Sequence, residues 1–123
     1  MEDIGDILNE NVLIGLLGKY GQSITCICFM GGDASPKEVD ALAAFIKIYT
    51  RRTIKTAWYS GKPRISEACS LINFDYIKIG PYIERFGGLN SIMTNQRFYR
   101  IDDGIMTDIT AVFQKSKAVM AFL

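Results

Sequence analysis

The chain has 123 residues, enough for one domain with a real core, and its 49% hydrophobic and 22% charged residues exclude a chain held open by charge repulsion. Its 14 basic and 13 acidic side chains leave a net charge of +1 with no long run of either sign, so nothing draws it to nucleic acid. No apolar stretch nears the roughly 20 residues of a membrane span and the N-terminus is acidic, so a cytoplasmic chain without membrane contact is expected.

The first predicted helix covers residues 10–20, where Leu13, Leu16, Leu17 and Tyr20 recur at helical spacing after an Asn9 cap and before a Gly21 stop. Residues 24–30 are almost wholly apolar and predict a strand buried on both faces, as parallel strands are. Gly31, Gly32 and Asp33 end it. Ser35-Pro36-Lys37-Glu38 then combines a capping box with proline in the first helical turn. Val39, Leu42, Ala43 and Ile46 form the apolar stripe of that helix, which leaves Lys37, Glu38, Asp40 and Lys47 for solvent.

Residues 53–59 repeat the pattern as a β-branched and aromatic strand closed by Ser60-Gly61, followed by a shorter helix carrying Ile65, Ala68, Cys69 and Ile72. Residues 75–79 form a third strand ending in Gly80-Pro81-Tyr82. Strands that alternate with helices and finish in glycine-bearing turns predict an α/β fold with a mostly parallel sheet. Residues 85–96 lack periodicity. Residues 97–101 and 105–109 flank Asp102-Asp103-Gly104 and predict a C-terminal β-hairpin, with a helix or edge strand over residues 111–123. No linker divides the chain, so residues 1–123 read as a single domain.

The absence of histidine removes Ser-His and Cys-His couples and the commonest zinc ligand. Cys26, Cys28 and Cys69 are odd in number and suit reduced thiols. Cys26 and Cys28 alternate along one strand face, unlike a metal pair in a turn, and read as core cysteines, so no metal ligand is assigned. No catalytic residue is assigned either.

In parallel α/β folds ligands gather at the carboxyl ends of strands, which selects three loops: 31–34, 59–61 and 78–81. Gly31 and Gly32 expose backbone, and Asp33 offers a carboxylate to a ligand ammonium, or else the three simply make a tight turn that caps the next helix. Lys78, near the end of its strand, can meet a carboxylate or face solvent at a sheet edge. Phosphate and dinucleotide loops are missing, which disfavours nucleotide hydrolysis and receiver-like or flavodoxin-like domains.

Phe29-Met30-Gly31-Gly32-Asp33, Trp58-Tyr59-Ser60-Gly61, Asp75-Tyr76-Ile77-Lys78-Ile79-Gly80-Pro81-Tyr82-Ile83-Glu84 and Thr94-Asn95-Gln96-Arg97-Phe98-Tyr99-Arg100-Ile101 together resemble the anaerobic ribonucleoside-triphosphate reductase activating proteins. The likeness spans residues 24–110. It implies a partial (β/α) barrel of the radical S-adenosylmethionine type, in which a [4Fe-4S] cluster cleaves S-adenosylmethionine and the resulting 5′-deoxyadenosyl radical takes hydrogen from a glycine of the reductase's glycyl radical subunit. By that resemblance Gly31, Gly32 and Asp33 hold the cofactor's methionine ammonium, with aspartate where the wider superfamily has glutamate. Ser60 and Lys78, at the neighbouring strand ends, complete the candidate cofactor-binding set.

The family's Cys-x3-Cys-x2-Cys cluster motif has no counterpart here, and Cys26, Cys28 and Cys69 lack its spacing. The expectation is a fragment without the first strand and cluster loop, inactive alone, whose exposed sheet edge invites homodimerisation. The alternative is a non-catalytic α/β module that binds the reductase or another protein through residues 83–96 and the hairpin.

Overall fold

The computed structural model describes residues 10–20 and 23–112. Strands β1 (Cys26–Met30), β2 (Lys55–Tyr59) and β3 (Tyr76–Ile79) run parallel to one another. Strand β4 (Arg97–Asp102) returns antiparallel on β3, and β5 (Ile105–Asp108) pairs antiparallel with β4. The chain is thus α/β with one open five-stranded sheet in sequence order. Half of its four pairings are antiparallel, which corrects the expected mostly parallel sheet to a mixed one. Asp103 and Gly104 join β4 to β5 with φ values of 50° and 77°, the left-handed pair that a tight hairpin turn with the strands' own twist demands.

Helix α1 (Glu10–Tyr20) buries Leu13 and Leu17, and helix α2 (Pro36–Tyr49) buries Val39, Ala43 and Ile46. These side chains join Ile27, Phe29, Trp58, Phe74 and Ile77 in one core on a single face of the sheet. Each leucine or isoleucine so buried contributes about 1.5–3 kcal/mol. The Asn9 cap, the Gly21 stop and the element expected over residues 113–123 lie outside the described residues.

Four expectations are corrected. β1 is buried on one face only: Ile27 and Phe29 point to the core, while Cys26 and Met30 are exposed and Cys28 is half-buried. Ser35 precedes α2 without any side-chain cap, and its carbonyl instead accepts from the N–H groups of Glu38 and Val39. The expected helix after β2 reduces to a turn and a short 3₁₀ segment, Leu71–Asn73. Asp40 explains this, because its Oδ1 accepts from Ser70 N at 2.7 Å and Asn73 Nδ2 at 3.2 Å, and Thr56 Oγ1 donates to Asn73 O at 2.6 Å, which pins that stretch in a bent path. Lys47 is buried rather than solvated, at 4% exposure, and pairs with the Asp75 carboxylate.

Just past α2, Arg51 and Arg52 adopt φ values of 52° and 61°, a left-handed region that disfavours side chains with a Cβ. Arg51→Gly is expected to raise stability by about 0.5 kcal/mol, the relief of that strain exceeding glycine's added freedom in the unfolded chain. A urea midpoint below that of the parent protein would contradict this.

Candidate functional site

The three loops at the carboxyl ends of β1, β2 and β3 are tied into one unit. Gly31 and Gly32, with φ values of 85° and 76°, let the chain leave β1 in a tight left-handed turn. Gly31 N donates to Tyr59 O at 3.0 Å, and Trp58 Nε1 donates to Gly31 O at 2.6 Å. A Cβ on Gly32 would stand 2.6 Å from Val39 Cγ2, so glycine there also lets the turn sit down on α2.

That turn aims Asp33 across the end of β2. Its Oδ1 accepts from the buried Ser60 hydroxyl at 2.5 Å, and its Oδ2 accepts from Gly61 N at 3.0 Å. Ser60 Oγ accepts in turn from Lys62 N at 3.0 Å, which orders the start of the next loop. Lys78 Nζ donates to Ser60 O at 3.3 Å and Gly80 O at 2.8 Å. Gly80 N donates to Lys62 O at 2.7 Å, and Gln96 Nε2 reaches Gly80 O at 3.3 Å. Of the five candidate residues, Asp33, Ser60 and Lys78 are therefore joined by hydrogen bonds, while Gly31 and Gly32 form the turn that leads into Asp33.

The position of Lys78 differs from a solvent-facing edge, because β3 is an inner strand between β2 and β4. Burial lowers its ammonium below the ordinary lysine value, and the Asp33 carboxylate works against that shift. Asp33 acts as an internal brace with both oxygens engaged, and each oxygen keeps lone-pair capacity for a further donor.

Beside this cluster, on the α2 side of the sheet, lies a cavity of about 330 Å³. Asp33, Ser60, Lys62, Arg64 and Trp58 are among its lining residues. One carboxylate and two cations over an apolar floor form a donor set that fits an amino-acid zwitterion, with the ammonium at Asp33 and the carboxylate at Lys62 or Arg64. Lys62 and Arg64 were not singled out from the sequence, where a Lys-x-Arg after a turn carries no signal until the loop is seen to fold over the strand ends. A second cavity of about 360 Å³ opens at the opposite end of the sheet, where Asp75 is engaged by Lys47 and Asp102 by Arg100.

The thiols do not fit an iron–sulfur cluster. Cys69 packs against the core on the helix side, whereas Cys26 and Cys28 lie on the other face of β1. Among the described residues no group of three His, Cys, Asp or Glu side chains gathers as a metal site. Burial pushes the thiols up, Cys28 to about 11 and Cys69 to about 12, so they are protonated at neutral pH.

The fold is α/β with a cavity of about 330 Å³ at its strand ends, and among the described residues no helix is long and apolar enough to cross a membrane. No family model, curated protein or solved structure matches the chain.

Proposed function

We propose that this chain supplies the S-adenosylmethionine-binding side of a radical-generating activase for an anaerobic ribonucleoside-triphosphate reductase, as part of a partial (β/α) barrel. The carrying observation is the cavity at the strand ends lined by Asp33, Lys62 and Arg64, next to the Gly31-Gly32-Asp33 and Trp58-Tyr59-Ser60-Gly61 segments that resemble that family. The methionine end of the cofactor is a zwitterion, and this cavity offers both signs of charge. Gly31 and Gly32 keep the loop low so that Asp33 projects over the end of β2, and Ser60 and Gly61 hold its carboxylate in place.

S-adenosylmethionine is the source of the radical chemistry in that family. The cluster that drives it has no ligands here, so on this proposal the chain binds and orients the cofactor without turning it over. The glycyl radical subunit of the reductase is the proposed protein partner, docking over the loop 80–96, where Tyr82, Ile92 and Met93 are exposed.

Equilibrium dialysis with labelled S-adenosylmethionine tests the proposal. Asp33→Asn is expected to weaken binding tenfold or more, the effect of losing a charged hydrogen bond worth about 1.5–3 kcal/mol. Ser60→Ala removes a brace but leaves the carboxylate, and is expected to weaken binding only about threefold. Equal losses in the two variants would make Asp33 a loop brace and not a ligand. No binding by the parent protein would remove the cofactor from this proposal.

A further inference from the structure

The face of β1 opposite the core presents three sulfur atoms in a row. Side chains alternate along a strand, so Cys26, Cys28 and Met30 share the face opposite Ile27 and Phe29. Cys26 is exposed, Cys28 half-buried and Met30 78% exposed. No described helix covers them, and β1 is an edge strand among the described residues. In the parallel register Cys28 stands beside Ala57, while Lys55 and Tyr59 flank Cys26 and Met30.

We propose that Cys26, Cys28 and Met30 form a binding site for a soft monovalent d10 cation, Cu(I) being the representative ion. Binding releases the two thiol protons to solvent, and the resulting thiolates together with the thioether select such ions over harder divalent ones, while β1 has no carboxylate, hydroxyl or imidazole to favour the alternatives. The spacing suits two-coordinate geometry. Alternate residues of a strand are rooted about 6.6 Å apart, so two sulfurs that each lean inward by about 1 Å are separated by twice a metal–sulfur bond of about 2.3 Å. The Met30 thioether, next along the same face, is the third, weaker donor. This site is independent of the cavity at Asp33, which lies on the other side of the sheet and offers oxygen and nitrogen groups.

Cu(I) supplied anaerobically as its bicinchoninate complex is the probe, with loss of the probe's colour as the readout. One ion per chain is expected to transfer to the protein. Cys26→Ser and Cys28→Ser should each lower the affinity more than about tenfold, and Met30→Leu about threefold. Cys69→Ser, on the far side of the sheet, should leave transfer unchanged. Cys26 is exposed, so its serine variant is expected to melt with the parent protein, which separates lost binding from lost folding. Transfer that survives Cys26→Ser, that is lost in Cys69→Ser, or that occurs only in copper-bridged dimers on size-exclusion chromatography would overturn the proposal.

Discussion

Asp75→Ala is expected to destabilise the protein by about 3 kcal/mol, whereas Lys47→Met at the other end of the same ion pair should cost less than about 1 kcal/mol. The asymmetry follows from burial. Lys47 is 4% exposed and leans on Asp75, with Ile54 O at 3.4 Å as its other acceptor, while Asp75 is 29% exposed and keeps contact with water. Removing Asp75 leaves an ammonium in the core without its counter-ion and also strips Thr56 N of its acceptor at 2.8 Å. Methionine at position 47 removes the charge and keeps most of the volume, and Asp75 then turns to solvent with Thr56 N still bonded. Asp75→Asn, which retains an acceptor for Thr56 N but not the charge, should fall between. Urea denaturation of the three variants decides the matter, and equal losses for Asp75→Ala and Lys47→Met would show that the pair is not asymmetric in this way.

Lys47 also marks where the sequence stops being informative. Helical spacing places Val39, Leu42, Ala43 and Ile46 on the buried stripe of α2, and Val39, Ala43 and Ile46 are indeed buried. Position 47 lies at the margin of that stripe, so its fate depends on a carboxylate 28 residues away that no local pattern reveals. Much the same holds for the 3₁₀ segment: Ile65, Ala68, Cys69 and Ile72 have helical spacing, but the backbone there is bent by Asp40 and Thr56 from other elements. For β1 the error has another origin. An apolar run does not distinguish a strand buried on two faces from an edge strand whose outer face happens to carry cysteine and methionine, and that outer face is where the sulfur row lies. The site loops were legible because glycine, aspartate and proline at strand ends have local causes. What the sequence did not disclose was how they interlock, since the bonds between Ser60 and Asp33 and between Lys78 and Ser60 depend on the parallel register of β1, β2 and β3.

Gly80→Ala is expected to lower stability by about 3 kcal/mol and the melting temperature by roughly 10 °C. Two effects add there. Gly80 has φ of 100°, and a Cβ would lie 3.1 Å from both Asn95 O and Gln96 Cα, which are backbone atoms unable to rotate aside. The loop entering β4 would have to shift as a body. Gly104 separates the two contributions: its φ of 77° is also left-handed, yet a Cβ there meets no heavy atom within 4 Å, so Gly104→Ala should cost only about 1 kcal/mol. The shift at position 80 also reaches the candidate site, because Gly80 O accepts from Lys78 Nζ and Gln96 Nε2, and Gly80 N holds Lys62 O. Gly80→Ala should therefore disturb Lys62 and Lys78 together and weaken ligand binding at the strand ends, while Gly104→Ala leaves it unchanged. If both alanine variants melted alike, close backbone packing at Gly80 would not be what holds the third loop against the other two.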